Sequence, residues 1–252
     1  METFIKHNNT DFNDALLKEV EGLKLLDKVL KKQNNKFINI PKIINYDENH
    51  IELQKIENLI SNDELSINLA CGLALLHKNE NEQFGFDTDN YIGLNKQINS
   101  YSNNWGEFFF EYRLMYQINL IKDNDIKSVF LNRLEKHKDK LLMLLNTCKK
   151  ASLVHGDLWS GNVLYSKDSV YLIDPAVYYA DREVDIAMTR IFGGFDDKFY
   201  EYYNKTYPLS KEYLKKEPIY NLYHYLNHYN LFGSSYLSSC ENIISFIENL
   251  DE

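Results

Sequence analysis

The sequence is poor in cysteine and contains no long apolar run. Its three cysteines, Cys71, Cys148 and Cys240, are an odd number and form no C-x-x-C pair, which argues against a disulfide scaffold and against a zinc site. No apolar run is long enough to cross a membrane, and the N-terminus lacks the apolar core of a signal peptide. We therefore expect a cytoplasmic protein with no membrane partner.

The sequence also lacks an excess of basic residues. It has 28 Lys and Arg against 37 Asp and Glu, a net charge of −9 and an isoelectric point near 5.3. A nucleic-acid surface needs a basic stripe, so we expect no nucleic-acid partner. There is no internal repeat, and 252 residues can bury a sizeable core as one two-lobed unit or as two small domains.

What the sequence does contain is a spaced set of polar residues between short apolar segments. Residues 153–162 read LVHGDLWSGN and residues 171–175 read YLIDP, so Asp157 is followed by Asn162 and Asp174. Phosphoryl transfer from ATP uses a carboxylate to accept the proton of the attacking hydroxyl, and an amide and a carboxylate to hold magnesium. We predict Asp157 as the catalytic base and Asn162 and Asp174 as Mg²⁺ ligands. The alternative is that such loop Asp residues only form turns.

The flanking pattern favours the phosphate site. Residues 152–154 form a short apolar strand that leads into the motif, and residues 163–165 and 170–173 read as a hairpin turned at 167–169. This hairpin places Asp174 at its end, where the carboxylate can face Asn162.

The same segment resembles the fructosamine-3-kinase (ketosamine kinase) family, within the aminoglycoside-phosphotransferase and protein-kinase-like superfamily. The Trp-Ser pair at 159–160 is more specific than His-Gly-Asp, because aminoglycoside and choline kinases usually differ there. The resemblance covers the chain from about residue 4 to about residue 245. It implies an α+β, protein-kinase-like two-lobed fold, with a truncated antiparallel N-lobe sheet in residues 1–56 and a mostly helical C-lobe in residues 57–252.

Within the predicted N-lobe, residues 3–6, 42–46 and 50–55 read as strands, and residues 14–32 as a helix with leucines at helical spacing. The resemblance gives Lys6 and Glu19 a joint role. In a kinase N-lobe, a strand lysine binds the nucleotide phosphates and a helix glutamate holds that lysine. The alternative for Glu19 is an ordinary solvent-facing charge.

The last of these strands, residues 50–55, resembles the strand that enters the kinase hinge. The backbone groups of Gln54, Lys55 and Ile56 would then hydrogen-bond the adenine of ATP. This assignment depends on position in the sequence and not on side chains.

Three side chains are candidates for the acceptor site. Trp159 lies within the catalytic motif, and an indole there can stack on a sugar or an amine. Trp105 opens an aromatic helix that is either a stacking platform or, as is more common for such stripes, part of the core. Arg113 is functional if it faces the cleft, and otherwise forms a structural ion pair. A further helix is predicted over residues 126–146.

Other polar residues are assigned supporting roles. The resemblance implies that Asp185 binds backbone amides of the catalytic loop and that His155 braces the same loop. His224 and His228, one helical turn apart, could bind a metal, but no third ligand is near in sequence and packing is favoured.

The resemblance implies a ketosamine acceptor, small or protein-bound, which is phosphorylated on the third hydroxyl of its sugar in a deglycation repair system. One alternative is a kinase of another small acceptor, an aminoglycoside or amino alcohol. The family usually carries a glycine-containing phosphate loop before the strand lysine, whereas no Gly precedes Lys6 here. Either the chain begins late, or another segment or partner covers the nucleotide, or ATP binding is impaired. A nucleotide-binding pseudokinase is therefore a third alternative, and the oligomeric state stays open.

Overall fold

A computed structural model describes residues 2–250 of the chain. Residue 1 and residues 251–252, at the ends of the two predicted lobes, lie outside the described residues. The strands, in chain order, are β1 (Thr3–His7), β2 (Ile38–Asn39), β3 (Ile43–Tyr46), β4 (His50–Gln54), β5 (Glu80–Asn81), β6 (Asn90–Ile92), β7 (Asn95–Gln97), β8 (Ala151–Val154), β9 (Val163–Tyr165), β10 (Val170–Leu172) and β11 (Tyr178–Ala180).

Helices make up about half of the described chain, and all but the first of them follow β4. They are α1 (Ala15–Lys32), α2 (Asp63–Leu76), α3 (Trp105–Phe109), α4 (Tyr116–Asn119), α5 (Asn124–Lys136), α6 (Lys138–Leu145), α7 (Glu183–Met188), α8 (Asp197–Thr206), α9 (Tyr213–Phe232) and α10 (Leu237–Glu248). A π-helical segment, Phe110–Met115, joins α3 to α4. The predicted α+β class, with a small antiparallel sheet before a mostly helical region, is confirmed.

The first sheet has the antiparallel order β1–β4–β3. Its register sets Lys6 opposite Ile51. Because side chains alternate across a strand, Phe4 lies on the same face as Lys6, and Ile5 points to the other. Among the described strands β1 pairs with β4 alone, so it forms an edge of this sheet.

Helix α1 covers one face of the first sheet. Leu16, Val20 and Leu23 recur at helical spacing and are buried together with Ile51 and Leu53 of β4. This apolar contact holds the helix against the sheet and sets which residues of α1 face the cleft.

Two small sheets carry the predicted catalytic segment. Strand β8 is fully buried and pairs with β11 on one side and β5 on the other. The predicted hairpin forms between β9 and β10, with Val163 opposite Leu172 and Val170 opposite Tyr165. Strand β2 joins this hairpin in parallel, although it lies before the predicted lobe boundary at residue 56. That boundary stays a prediction.

The prediction of one helix over residues 126–146 is wrong in one respect. This segment forms two helices, α5 and α6, which are separated at His137, where the backbone leaves helical geometry. The ring Nδ1 of His137 lies 2.8 Å from the Arg133 carbonyl oxygen. Leucine spacing continues across the break, so the periodicity did not reveal it.

The largest buried cluster lies among α3, α5, α6, α9 and α10 and is rich in aromatic side chains. In the part of the chain that the structure describes, no helix is both long enough and apolar enough to cross a membrane.

Candidate active site

A cleft of about 680 Å³ separates the first sheet from the catalytic segment. One wall comes from residues within 4–10 and 15–19, and the other from residues within 90–94 and 157–176. The predicted site residues that line it are Lys6, Glu19, Asp157, Trp159, Asn162 and Asp174.

The buried carboxylate of Asp185 fixes the turn that precedes Asp157. Its Oδ2 accepts the backbone N–H of His155 at 2.7 Å, and its Oδ1 accepts that of Gly156 at 2.9 Å. His77 Nε2 lies 3.1 Å from Oδ2. Burial alone would raise the pKa of Asp185, but His77, His155 and the amide hydrogen bonds outweigh it and lower the pKa. The carboxylate is therefore ionised, as its predicted bracing position requires.

Gly156 is required at this turn. Its φ of +85° lies in the left-handed region, and a Cβ there would come 2.0 Å from the carbonyl oxygen of Ala176. His155 Nε2 donates to the Ile173 carbonyl at 2.9 Å, and burial lowers the pKa of its ring. The residues just before Asp157 are thus held to the chain on either side of Asp174.

Asp157 and Asn162 contact each other across the catalytic loop. The Asn162 amide donates to the Asp157 carbonyl oxygen at 2.8 Å and to its carboxylate Oδ2 at 3.2 Å. Burial raises the pKa of Asp157 to about 7, and the negative charges of Asp174 and Asp185 also raise it. The hydrogen bond from Asn162 lowers it, but by less. A carboxylate with this pKa can accept a proton near neutral pH.

Asp174 and Glu19 share one cation. Lys6 Nζ lies 2.7 Å from Glu19 Oε2 and 3.1 Å from Asp174 Oδ1, so the predicted ion pair of Lys6 and Glu19 is present. Burial works against the charged form of Lys6, but the two carboxylates outweigh it and raise its pKa. Asp174 has a φ of +53°, which is uncommon outside glycine and directs its carboxylate toward β1.

The donor set fits a magnesium ion. Because the Asn162 NH₂ group is engaged by Asp157, its carbonyl oxygen is turned away from that bond and left for another ligand. Together with the Asp174 carboxylate, it provides the hard oxygen ligands that Mg²⁺ prefers alongside phosphates. Within residues 2–250, no three His, Cys, Asp or Glu side chains cluster as metal ligands, so His224 and His228 form no such site.

The predicted hinge is only partly available to a nucleotide. The backbone N–H of Gln54 donates to Lys42 O at 2.8 Å, and that of Lys55 donates to Glu2 O at 3.0 Å. These two N–H groups cannot also bind adenine, which corrects the expectation for them. Ile56 follows β4, and its N–H makes no backbone hydrogen bond to another described residue. A hydrogen bond from Ile56 to adenine stays a prediction.

The comparisons with known proteins agree with this geometry. Residues 1–249 match the fructosamine kinase family. The chain belongs to the fructosamine kinase family. A Vibrio parahaemolyticus protein named as a ketoamine kinase is 39% identical, over 97% of this chain and 84% of its own. The chloroplastic protein-ribulosamine 3-kinase of Arabidopsis thaliana is 43% identical, over 68% of this chain and 54% of its own.

Two solved structures share the fold of this chain. A Thermobifida fusca protein described as a fructosamine-3-kinase superposes with a TM-score of 0.84 at 26% identity, covering 98% of this chain and 86% of that one. An ADP-bound aminoglycoside phosphotransferase superposes with a TM-score of 0.59 at 13% identity, covering 97% and 86%, and this second match shows the fold alone. The predicted protein-kinase-like fold is confirmed, and family membership makes the chain an ATP-dependent phosphotransferase.

Two of the three residues predicted to contact the acceptor, Trp105 and Arg113, lie outside the cleft of this fructosamine kinase family member. Trp105 is 1% exposed and its indole N–H donates to Tyr220 in the helical core. Arg113 is fully buried and donates to Ile98 O and to Asn99. It does not line the cleft and pairs with no carboxylate among residues 2–250. Both expectations of substrate contact are corrected, because neither side chain lines the cleft. Trp159 lines it and is 38% exposed.

Sequence reasoning missed a connection between the two cleft walls. The Tyr91 hydroxyl, on β6, donates to Asp14, and its ring packs at a tilt against that of Phe12, with 4.7 Å between centroids. Asp14 stands at the start of α1 but makes no side-chain cap there, and its carboxylate Oδ1 accepts from Tyr91. Nothing local in the sequence signals such a long-range pair.

Proposed function

We propose that this fructosamine kinase family member transfers the γ-phosphoryl group of MgATP to a sugar hydroxyl of a ketosamine. The observation that supports the proposal most is the convergence of Asp157, Asn162, Asp174 and Lys6 on one cleft. Relatives named as a ketoamine kinase and as a protein-ribulosamine 3-kinase supply the acceptor class.

In the proposed mechanism, Asp157 accepts the proton of the attacking hydroxyl. The hydroxyl oxygen forms a bond to the γ-phosphorus as the bond from that phosphorus to the bridging oxygen breaks, and ADP departs with the electron pair. The Asn162 hydrogen bond orients the Asp157 carboxylate. Because Asp185 and Gly156 fix the loop backbone, little reorganisation is needed at the moment of transfer.

Charge neutralisation at the phosphates would come from two sources. Asn162 and Asp174 would hold Mg²⁺, which screens the phosphate oxygens when it is bound. Lys6, kept in place by Glu19, would contact the phosphates from the β1 side. Ile56 is the remaining candidate among the hinge residues for a hydrogen bond to adenine.

The identity of the acceptor and the hydroxyl that is phosphorylated are proposed from the named relatives and from the position of Trp159 in the cleft. We propose that the acceptor sugar stacks on this indole and is phosphorylated on its third hydroxyl, with small or protein-bound ketosamines as substrates. We also propose that the protein acts in deglycation repair and in the cytoplasm.

The test is an acceptor panel assayed with MgATP. Ribulosyl-lysine, fructosyl-lysine, an aminoglycoside and an amino alcohol are each incubated with the protein, and phosphorus NMR identifies the phosphorylated product. The proposal expects a sugar phosphate from a ketosamine, lost in Asp157→Asn. A product from the aminoglycoside or amino alcohol alone would overturn the acceptor class. MgATP binding in calorimetry without phosphorylation of any acceptor would support the nucleotide-binding pseudokinase alternative, and absence of MgATP binding would overturn the proposal.

A further inference from the structure

A row of aromatic rings leads away from the catalytic loop. We name Trp159, Phe192, His228, Phe232 and Tyr236 the aromatic strip. Ring centroids are 6.0 Å apart between Trp159 and Phe192, 5.1 Å between Phe192 and His228, and 5.4 Å between His228 and Phe232. Tyr236 closes the row, 5.1 Å from His228. The strip thus runs from the cleft to the C-terminal end of α9.

Much of the strip is open to solvent. Phe192 is 41% exposed and Phe232 is 65% exposed. A contiguous exposed apolar surface beside a polar cleft is uncommon and marks a place where another molecule is bound.

Two glycines pack closely on side chains of the catalytic loop beside the strip. Gly194, with a φ of +90°, packs so tightly on Ser160 that a Cβ at this position would come 2.5 Å from the serine Cβ. The Trp159 indole lies over Gly161, where a Cβ would come 2.3 Å from the ring. These contacts set Phe192 beside Trp159, which itself lines the cleft. The strip is therefore continuous with the site of phosphoryl transfer.

The strip carries no formal charge. His228 is the ring of the strip that titrates near neutral pH. Its Nδ1 donates to the His224 carbonyl at 2.8 Å, and burial lowers the pKa of the imidazole. The imidazole is therefore neutral at pH 7, with Nε2 as an acceptor. An uncharged aromatic surface selects an apolar or aromatic occupant over an acidic or basic one.

The strip joins four rings in series, from Trp159 through Phe192 and His228 to Phe232. Their centroid spacings set an upper limit of about 17 Å on its length, which corresponds to at most about five residues of extended chain. A sugar stacked on Trp159 leaves Phe192 beside the lysine stem and places His228, Phe232 and Tyr236 within reach of the flanking peptide.

We propose that the aromatic strip binds the peptide segment that flanks a ketosamine-bearing lysine and favours aromatic or apolar neighbours of that lysine. This inference rests on the proposed function and adds the sequence context of the acceptor. The strip makes the protein a kinase of peptide-borne ketosamines in preference to ketosamines of free amines.

The experiment compares three ribulosyl-lysine acceptors: the Nα-acetyl-lysine adduct, a pentapeptide with Phe on both sides of the lysine, and the same peptide with Asp in both places. We expect KM to be roughly three- to tenfold lower for the Phe peptide than for the small adduct, with the Asp peptide no better than the small adduct. In Phe232→Ser, the ratio of the two KM values falls toward one. The matched control is Phe246→Ser, an exposed phenylalanine on α10, which keeps the wild-type ratio.

Equal KM values for all three acceptors in the wild-type protein would overturn the inference, as would the same ratio in Phe232→Ser and Phe246→Ser. In either case the small adduct would still be phosphorylated, so the proposed function would stand. Failure to phosphorylate any of the three acceptors would instead remove the proposed function and the inference with it.

Discussion

The ammonium of Lys6 lies 3.1 Å from the carboxylate Oδ1 of Asp174. This contact joins the edge strand of the first sheet to the end of the catalytic hairpin, across the cleft. A nucleotide whose phosphates enter between the two walls would meet both side chains at once. The pair therefore marks where triphosphate and magnesium are expected to lie.

The Glu19 carboxylate positions Lys6, which predicts a defect in nucleotide affinity when it is neutralised. Glu19→Gln removes the charge that holds Lys6 Nζ at 2.7 Å, so we expect KM for ATP to rise about tenfold with a smaller change in KM for the acceptor. Steady-state kinetics measure both values. Glu21→Gln, which removes a carboxylate that pairs with Lys18 on the same helix, is the control and leaves KM for ATP unchanged. Equal effects of the two variants would contradict the positioning role.

The raised pKa of Asp157 predicts how activity depends on pH. Since the base must be ionised and its pKa is raised to about 7, kcat/KM increases through pH 7 and levels off above it. Asp157→Asn removes that dependence along with a factor on the order of 10²–10⁴ in rate. A flat profile between pH 6 and pH 8 in the wild-type protein would contradict this assignment.

The same pKa shift predicts a change in stability. The folded protein holds the Asp157 proton more tightly than the unfolded chain, whose carboxyl has a pKa near 3.8. Ionisation between about pH 4 and pH 7 therefore disfavours the folded state. Asp157→Asn should melt a few degrees above the wild-type protein at pH 8 and show no gain at pH 4. Thermal unfolding without nucleotide measures this, and a gain at pH 4 equal to that at pH 8 would count against it.

Asp185 predicts a structural defect that also affects catalysis. Asp185→Ala leaves the N–H groups of His155 and Gly156 without their buried partner, which costs on the order of 3–5 kcal/mol. Denaturant unfolding measures the loss. Asp197→Ala, at the start of α8, serves as an exposed control. A loss below about 1 kcal/mol would show that the turn is held by other contacts.

Much of the active region was predictable because its contacts are local or follow from a hairpin. The spacing of Asp157, Asn162 and Asp174 fixed their proximity once residues 163–173 formed two paired strands. The ion pair of Lys6 and Glu19 was predicted from the family resemblance, and it is present. Their predicted chemical roles stay predictions that the variants above test.

The wrong predictions concern groups whose direction or partner is not determined by spacing in the sequence. Trp105 and Arg113 carry side chains that suit a sugar site, but the helix that holds them turns both toward the core. The contact of Tyr91 with Asp14 joins residues far apart in the chain, so it depends on how the two walls pack. The N–H groups of Gln54 and Lys55 are engaged by Lys42 and Glu2, which strand assignment alone could not show.

We expect substitution of the two tryptophans to affect stability and acceptor binding differently. Trp105→Ala removes a fully buried indole and should destabilise the protein by about 3–5 kcal/mol. Trp159→Ala removes a partly exposed one, so we expect a smaller loss of stability and a KM for the acceptor raised roughly three- to tenfold. Unfolding and kinetics are measured on both variants, and an unchanged acceptor KM in Trp159→Ala would contradict the stacking role.

The central claim is that Asn162 and Asp174 bind a divalent ion that in turn holds ATP. Calorimetric titration with ATP, with and without Mg²⁺, tests it most directly on the wild-type protein and on Asp174→Asn. We predict that Mg²⁺ strengthens ATP binding at least about tenfold in the wild-type protein and that this gain is lost in Asp174→Asn. An equal effect of Mg²⁺ on both proteins would contradict the account.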